Sequence, residues 1–311
     1  MRVFVAGASG AIGRPLVPKL IEAGHEVTGM TRSEQSAERL RAAGARAVLA
    51  DVFDEERVQA AMAEAQPQVV VHELTSLPDV INPRSRRTYA ETNRVRTEGT
   101  RILVEAAHAA GARRMVAQSI AFAYATTGDP VKGEEAPLAV AGSGAFVEAV
   151  RAVAQLERQV TEAAGLEGLV LRYGFFYGPG THYARDGSQA RMVRRRLVPI
   201  VGQGEGNFSF IHVDDAAEAT VAAVERGAPG IYNVADDEPA QLRDWLPVYA
   251  EALGVGRPRR MPVWLTRLLG GREGVAFATE LRGASNAKAK RELGWQPRHP
   301  SWRHGFVESL A

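Results

Sequence analysis

The stretch VFVAGASGAIG, residues 3–13, passes from a short apolar run directly into three glycines spaced as GxxGxxG. We expect Gly7 to permit a tight turn, Gly10 to let the backbone approach a pyrophosphate, and Gly13 to let a helix pack closely on the strand. Free N–H groups and the positive end of that helix would then face the phosphates. The stretch therefore predicts a dinucleotide site. The predicted cofactor contacts here are Gly7, Ser9, Gly10, Ala11, Ile12 and Gly13.

The first half of the chain alternates between short strand-like runs and amphipathic stretches. Strands are predicted at residues 3–6, 25–30, 45–50, 68–73, 114–119 and 168–172. Helices are predicted at residues 11–23, 34–43, 54–65, 86–110 and 143–164. Strands that are apolar on both sides are typical of a parallel sheet covered by helices on both faces. The pattern predicts an α/β fold with a doubly wound parallel (Rossmann) sheet.

The pattern becomes less regular after about residue 175. Glycine- and proline-rich turns separate predicted helices near residues 187–197, 214–226, 241–252 and 286–293, and predicted strands near 208–212 and 230–234. We therefore expect an NADP-binding Rossmann domain at residues 1–175. A smaller mixed α/β lobe at residues 176–311, interleaved with the first domain, is expected to cover the substrate.

The composition excludes several classes of protein. The 311 residues are 45% hydrophobic and 24% charged, which is typical of a soluble globular protein. The absence of cysteine excludes thiol catalysis and cysteine-ligated metals, and no histidine–carboxylate spacing predicts a metal site. A formal charge of +2, with basic clusters that lack interleaved aromatics, predicts no nucleic-acid partner. No secretory signal and no apolar run of ~18 residues are evident, so we expect a cytoplasmic protein without a membrane partner.

The end of the second predicted strand bears on the choice of cofactor. A site selective for NAD carries an acidic residue there to hold the ribose 2′-hydroxyl. This sequence instead reads GMTRS at residues 29–33, so Arg32 could bind a 2′-phosphate and Ser33 could add a hydroxyl donor. NADP is therefore favoured and NAD is kept as the alternative, because Arg32 could also be an ordinary arginine near a helix start.

Several motifs together resemble the NAD(P)-dependent epimerase/dehydratase family, the extended branch of the short-chain dehydrogenase/reductases. Beyond the three glycines, they are Asp51 after the third strand, Ser119 in strand five, LRYGFFYGP at residues 171–179, FIHVDD at 210–215 and ELGWQP at 292–297. In that family the acid after the third strand contacts adenine. We expect cofactor contacts at Asp51, Val52, Leu74 and Tyr173 as well. The family usually dimerises through its long fourth and fifth helices, so a homodimer is left open.

The chain departs from the family at its proton relay. Family dehydrogenases use a Tyr-x-x-x-Lys pair on the helix after strand five, in which the lysine lowers the tyrosine pKa. Only four lysines are present, and none follows a tyrosine by four residues. The helix where the pair belongs, AFVEAVRAVAQLE at residues 145–157, contains neither residue type. The sequence therefore lacks the usual proton donor.

Other hydroxyls are candidates to replace that donor. Ser119 ends strand five beside the expected nicotinamide, and Tyr124 and Tyr177 lie in segments expected to border the same place. An exposed position is favoured for His182. We expect an apolar substrate pocket between the carboxyl ends of the strands and the later lobe. Its predicted substrate contacts are Phe146, Phe175, Phe176 and Tyr183, with Leu74, Met192 and Trp264 as further walls.

Two arginine positions are left open by the sequence. The family's usual asparagine before Gly99-Thr100 is replaced by Arg96, for which pairing with Glu91 or with an aspartate elsewhere is slightly favoured over a contact to substrate. The run 194–196 would supply an anionic anchor only if its helix turned inward.

Three functions are compatible with these features. The favoured one is an NADP(H)-dependent oxidoreductase that acts on a small-molecule substrate, a largely apolar carbonyl or activated alkene. The alternatives are a nucleotide-sugar epimerase or dehydratase and a non-catalytic NADP-binding redox sensor. The missing Tyr/Lys pair and Phe175, where sugar enzymes carry a polar anchor, argue against the sugar enzyme.

Overall fold

The computed structural model describes residues 1–79 and 85–310 and is built around a seven-stranded parallel sheet. From one edge to the other the strands are β12 (Gly230–Val234), β7 (Glu167–Tyr173), β5 (Arg114–Ile120), β4 (Val69–His72), β1 (Arg2–Ala6), β2 (Glu26–Thr31) and β3 (Arg46–Leu49). The chain winds outward in both directions from β1, so the predicted doubly wound sheet is confirmed.

Helices cover both faces of this sheet. They are α1 (Gly13–Glu22), α2 (Glu34–Ala42), α3 (Glu55–Ala65), α4 (Arg86–Arg94), α5 (Thr100–Ala109), α6 (Ala145–Thr161) and α8 (Val213–Glu225). The predicted single helix at 86–110 is interrupted, because a π-helical segment, Val95–Gly99, joins α4 to α5. Single π-helical turns inside α-helices occur frequently at functional sites.

The alternation of side chains along β1 explains the two-sided core. Val3 and Val5 pack with residues of α1 and α8, whereas Phe4 and Ala6 pack with residues of α3 and α5. Because successive side chains of a strand point to opposite faces, a strand between two helical layers must be apolar throughout. The Gly-rich loop therefore begins from a strand that is held on both sides.

The remaining elements form a smaller lobe at one end of the sheet. Its short strands are β6 (Val131–Lys132), β8 (Phe175–Tyr177), β9 (Ile200–Val201), β10 (Asn207–Phe208), β11 (Phe210–His212), β13 (Ala240–Gln241), β14 (Arg260–Met261) and β15 (Gly283–Ala284). Its helices are α7 (Ser188–Arg194), α9 (Leu242–Ala252), α10 (Val263–Thr279), α11 (Ala287–Glu292) and α12 (Trp302–Leu310). An aromatic core that includes Phe210, Trp245 and Phe306 holds most of these elements together, whereas Ala289 of α11 packs in the core of the large sheet together with residues of β12.

Three details differ from the sequence prediction. The strand at 230–234, expected in the lobe, pairs with β7 and completes the large sheet. The strand expected at 208–212 is divided into β10 and β11, which pair with different partners. Helices α10 and α12 were not predicted; α10 is interrupted by Gly271, whose φ of +73° breaks the helical periodicity. Among the described helices, none is long and apolar enough to cross a membrane.

Candidate functional site

A cavity of about 620 Å³ opens at the carboxyl ends of the parallel strands. Residues at or directly after six strand ends line it: Gly7, Thr31, Ala50, Glu73, Ile120 and Gly174. This is the edge at which open α/β sheets bind their ligands. The lobe closes the opposite side with residues such as Thr181, Ser188 and Phe277.

The glycine loop forms one end of the cavity. Gly7 has φ of +96°, and a Cβ there would lie 2.7 Å from the backbone of Glu73, so this turn requires glycine. A Cβ on Gly10 would meet the Gly7 carbonyl oxygen at 3.3 Å, a tight contact, and no second atom within 4 Å among the described residues. The loop is thus a cradle with room for a diphosphate, formed where α1 begins. The loop residues that line the cavity are Gly7, Ser9, Gly10, Ala11 and Ile12.

Gly13 was expected to contact the cofactor but does not line the cavity. A Cβ at this position would lie 2.3 Å from the Gly7 carbonyl oxygen and 2.5 Å from the Ala8 carbonyl carbon. Gly13 therefore permits the close packing of α1 on the loop, as its place in the motif predicts, and contributes to the site only indirectly.

The predicted adenosine end carries the expected charged residues. Arg32 lines the cavity with its side chain 64% exposed, 3.6 Å from Asp51 Oδ2 and 3.7 Å from Glu91 Oε1. Asp51 Oδ1 accepts a hydrogen bond from the Phe53 N–H, which holds the loop after β3. Asp51, Val52 and Leu74 also line the cavity. Ser33 is absent from the lining, because its hydroxyl caps α2 by accepting from the Ser36 N–H.

Tyr173 was expected to contact the cofactor, and the structure corrects this. The side chain is fully buried, with its hydroxyl 2.6 Å from Thr220 Oγ1 on α8. The same hydroxyl donates to Glu73 Oε1 at 3.2 Å. Tyr173 therefore lies beneath the cavity and holds the Glu73 carboxyl beside α8.

The far end of the cavity is aromatic. The rings of Phe122 and Phe175 stack with centroids 4.1 Å apart, and Phe277 meets Phe146 edge-on at 5.1 Å. The four predicted substrate contacts, Phe146, Phe175, Phe176 and Tyr183, all line the cavity. Phe122 and Phe277 were not predicted. Met192 is absent from the lining, and Trp264 is 68% exposed on α10, so neither forms the expected wall.

Ser119, expected to act at the cavity, is buried behind it. Gln118, Ile120 and Phe122 line the cavity, and the intervening Ser119 points to the opposite side of β5. Its hydroxyl donates to Glu157 Oε1 at 2.7 Å. The alternation along this strand is the signal that could have excluded Ser119 from the sequence, whereas Phe122 lies in the turn after β5.

Tyr124 and Tyr177 are likewise remote from the cavity. The Tyr124 hydroxyl donates to Asn233 Oδ1 at 2.6 Å and accepts from Arg172 at 2.9 Å. Tyr177 packs against His212 and Phe306 in the core of the lobe. Burial raises the pKa of both tyrosines, which weakens them further as acids. The structure thus corrects the expectation that these hydroxyls border the site.

His182 lines the cavity instead of being exposed at its rim. Its Nδ1 lies 2.8 Å from Ser188 Oγ, and burial lowers the pKa of the imidazole below 6.5. A neutral imidazole is the expected form at pH 7, so His182 is poorly suited to supply a proton.

The α6 face that meets the cavity carries Phe146 and Ala149. This is the helix on which the family places its tyrosine and lysine. Neither side chain here ionises or donates a hydrogen bond. The absence of the proton relay from the sequence therefore corresponds to an apolar wall in the structure.

Of the three buried ionisable groups considered around the cavity, Glu73, His72 and Arg96, the arginine is the one that is charged at pH 7. Burial raises the pKa of the Glu73 carboxyl to about 8 and lowers the pKa of the His72 imidazole to about 4, so both are neutral at pH 7. Arg96 lies in the π-helical segment, lines the cavity and is 6% exposed. Glu91 pairs with Arg32, and no carboxylate of residues 1–79 and 85–310 forms an ion pair with Arg96, so the favoured prediction for Arg96 is wrong for the described part of the chain. The run 194–196 does not line the cavity.

The fold also gathers a histidine–carboxylate group that the sequence did not indicate: ligand atoms of His212, Asp215 and His299 lie within 4.8 Å of one another. Asp215 accepts hydrogen bonds from the N–H groups of Arg298 and His299, both at 2.9 Å. The His212 side chain caps α8 by accepting from the Asp214 N–H. Through these hydrogen bonds the three residues hold the segment around Arg298 and His299 against the start of α8.

Comparison with known proteins shows which chains this one resembles. The chain is 51% identical over 307 residues to the 3-diazoavenalumate denitrifying reductase of a Streptomyces species, covering 98% of this chain and 99% of that protein. It is 31% identical to the 4-hydroxy-2-methyl-3-oxo-4-farnesyl-3,4-dihydroquinoline-1-oxide ketoreductase of Stigmatella aurantiaca, covering 82% and 74% of the two chains. The crystal structure of Thermus thermophilus UDP-glucose 4-epimerase in complex with NAD matches with a TM-score of 0.76, 25% identity and coverage of 100% and 98%.

Residues 3–235 match the model of the NAD dependent epimerase/dehydratase family. That range contains the glycine loop, the seven strands of the large sheet and most of the cavity lining. The chain belongs to the NAD dependent epimerase/dehydratase family and is an NAD(P)-dependent oxidoreductase of the short-chain dehydrogenase/reductase type.

Proposed function

We propose that this chain transfers hydride from NADPH to an aromatic substrate whose electrophilic carbon needs no proton, specifically an aryl diazonium that loses dinitrogen. One observation carries the proposal: α6 presents Phe146 and Ala149 to the cavity where the family places its proton donor. An enzyme whose substrate consumes hydride alone has no use for that donor. The 51% identical relative, named a denitrifying reductase of a diazo compound, supports the same chemistry.

The reaction balances without an acid. The reduced nicotinamide supplies a hydride when the cofactor is bound. At the diazonium carbon a C–H bond forms with the hydride pair, and the C–N bond breaks with its own pair leaving on dinitrogen. The positive charge of the diazonium is cancelled by the hydride, so no proton enters or leaves.

The chain's own residues have positioning roles in this scheme. The glycine loop holds the diphosphate, and Asp51 and Val52 border the adenosine. Phe175, stacked on Phe122, and Phe146, in edge contact with Phe277, form flat walls for a planar conjugated ring. Orientation against the cofactor and exclusion of water are then the main contributions of the protein.

Reduction of a carbonyl is the second candidate. A ketone requires a proton at oxygen as hydride arrives at carbon. Glu73 lines the cavity and, with its pKa raised to about 8 by burial, holds a proton at pH 7. Its Oε1 is engaged by Tyr173, but Oε2 has no hydrogen-bond partner among the described residues. The ketoreductase relative favours this alternative.

The test uses NADPH carrying deuterium at the transferable position. The protein is mixed with diazotised 3-aminocinnamate, with a β-keto ester and with UDP-glucose, and the products are analysed by mass spectrometry. We expect dinitrogen release and one deuterium on the ring carbon that carried nitrogen, with none acquired from D₂O when unlabelled NADPH is used.

A matched sample without protein corrects for direct reduction of the diazonium by NADPH. Reduction of the β-keto ester alone, abolished by Glu73→Gln, would establish the carbonyl candidate instead. Conversion of UDP-glucose would support the sugar enzyme. Cofactor binding with turnover of none of the three would support the redox sensor.

We also propose that NADP(H) is the preferred cofactor. Arg32 is exposed beside the predicted adenosine ribose. Its guanidinium lies 3.6 and 3.7 Å from two carboxylates, distances longer than a direct hydrogen bond, so a 2′-phosphate can become its closest anion. A guanidinium–phosphate contact is charge-assisted and bidentate. Arg32 is therefore the residue that we expect to discriminate the two cofactors.

Arg32→Asp should reverse the cofactor preference, since it removes the phosphate partner and adds a third carboxylate beside Asp51 and Glu91. We expect NADPH affinity to fall by about 10-fold or more, corresponding to a lost charged hydrogen bond. Arg32→Gln is the neutral control and should weaken NADPH binding without improving NADH binding. Calorimetry with both cofactors is the measurement, and equal affinity of the parent protein for NADPH and NADH would overturn the proposal.

A further inference from the structure

Arg96 is a buried cation in the cavity wall that the reaction itself does not use. It lies in the π-helical segment between α4 and α5, where a locally widened turn interrupts the helix. Its side chain is 6% exposed and lines the cavity. Within residues 1–79 and 85–310, no carboxylate forms an ion pair with it, because Glu91 pairs with Arg32 and Glu98 pairs with Arg94.

Among the residues that the structure describes, none forms an ion pair that compensates the charge of Arg96. Its electrostatic neighbours are His72 and Tyr89. Burial is the main cause that lowers the pKa of His72 to about 4 and raises the pKa of Tyr89 to about 12. Both are neutral at pH 7. Burial lowers the pKa of the Arg96 guanidinium only to about 10, so it remains charged. A buried charge without a partner is costly, and a bound anion relieves that cost.

Arg96 belongs to neither of the segments that we expect to hold the cofactor anions. The glycine loop faces the diphosphate, and Arg32 lies where a 2′-phosphate is expected. Tyr89, beside Arg96, packs instead with Ala145, Ala149 and Phe146 at the aromatic end. Of the acidic residues on the cavity, Asp51, Asp79, Glu91 and Asp186 are exposed or half-exposed, whereas the buried Glu73, with its pKa raised to about 8, is neutral at pH 7.

We propose that Arg96 binds a carboxylate of the substrate and thereby selects aromatic or conjugated carboxylic acids. A planar guanidinium matches a carboxylate with two parallel hydrogen bonds, which fixes orientation as well as charge. The phenylalanine walls then hold the conjugated body of the acid in a defined direction relative to the glycine loop. This inference rests on the proposed function, since it names the substrate class of the same cavity.

The test measures binding, so that it does not require turnover. Cinnamate and cinnamamide, which share a shape and differ in charge, are titrated calorimetrically into the protein saturated with NADP⁺. We expect the parent protein to prefer cinnamate by about 10- to 100-fold, the size of a charged hydrogen-bonded contact. Arg96→Met should abolish that preference and change NADP⁺ affinity by less than about 2-fold. Arg96→Lys, which keeps the charge but loses the bidentate geometry, should retain part of it.

Arg191→Met is the matched control, because Arg191 is an exposed arginine that lines the same cavity and donates to the Asp186 carbonyl. It should leave the cinnamate preference intact. Melting curves establish whether Arg96→Met is folded; if it is not, the Arg96→Lys titration and the parent's preference decide the question. A parent protein without preference for cinnamate overturns the proposal, as does an Arg96→Met protein that loses NADP⁺ affinity and keeps the preference.

The two proposals fail in distinguishable ways. Arg96-dependent binding of cinnamate in a protein that reduces no diazonium would contradict the proposed function and leave the carboxylate site standing. Equal kcat/KM for a diazonium acid and its amide would contradict the carboxylate site and leave the hydride transfer standing.

Discussion

Gly10→Val should lower the affinity for NADP(H) by at least about 100-fold and should destabilise the protein less than Gly13→Ala does. A Cβ at Gly10 would meet the Gly7 carbonyl oxygen at 3.3 Å, a tight contact that a small shift of the loop would relieve, whereas a Cβ at Gly13 would lie 2.3 Å from the same oxygen. The added isopropyl group would occupy the cradle in which the diphosphate meets the N–H groups at the start of α1. Loss of two charge-assisted hydrogen bonds accounts for an effect of this size.

Substitutions at two other glycines distinguish an effect on cofactor binding from an effect on stability. Gly133→Val is the control, since nothing lies within 4 Å of a Cβ at that exposed position, and it should change neither property. Gly13→Ala should chiefly destabilise the protein, because its Cβ would lie 2.3 Å from the Gly7 carbonyl oxygen. Titration by cofactor fluorescence together with thermal melting measures both effects. Parent-like cofactor affinity in Gly10→Val would show that the diphosphate binds elsewhere.

Arg172→Met should lower the free energy of unfolding by about 3–5 kcal/mol. Arg172 and Glu157 form a buried bidentate pair, with Nη2–Oε2 at 2.7 Å and Nε–Oε1 at 2.8 Å and side chains 4% and 6% exposed. The guanidinium also donates to the Tyr124 hydroxyl at 2.9 Å and the Glu134 carbonyl at 3.0 Å. Without Arg172, Ser119 is the one side-chain donor that the Glu157 carboxylate keeps among the residues described by the structure.

Ser119→Ala is the control for this pair, since it removes one hydrogen bond from Glu157 and leaves the ion pair. We expect it to cost about 1 kcal/mol and to leave turnover unchanged, because the hydroxyl does not reach the cavity. Adding Glu157→Leu to Arg172→Met should recover most of the lost stability by removing the unpaired charge. Urea unfolding measures these differences; a cost below about 1 kcal/mol for Arg172→Met would mean that water reaches Glu157.

Some of these features could be predicted from the sequence because their causes are local. The strand, turn and helix of residues 3–13 depend on neighbouring residues, and the doubly wound sheet follows from apolar runs alternating with amphipathic ones. The absence of the Tyr-x-x-x-Lys pair could be established by checking the residue four positions before each of the four lysines. The aromatic character of the cavity was also predictable, since Phe146, Phe175, Phe176 and Tyr183 lie close to strand ends or at the start of the helix after strand five.

The direction in which each side chain points was decided by the tertiary structure. Ser119 lies between two cavity residues of β5 and, by strand alternation, faces away from them toward Glu157. Tyr173 is one residue before the cavity-lining Gly174, yet its hydroxyl lies against α8. Proximity along the sequence places a residue near a site but does not determine the face on which its side chain lies.

Contacts between residues that are distant in the sequence could not be predicted from local sequence patterns either. Phe277 enters the cavity from α10, more than 100 residues after the other phenylalanines, and β12 joins the sheet only through its pairing with β7. Arg96 and Glu91 are five residues apart, a spacing that does not bring side chains together on an α-helix. The sequence by itself determined the fold and the loss of the proton relay, because both depend on short-range pattern and residue type. The tertiary structure decided that Arg96 is buried in the cavity wall without a carboxylate partner among the described residues, because Glu98 pairs with Arg94 and Glu91 pairs with Arg32, which directly follows β2.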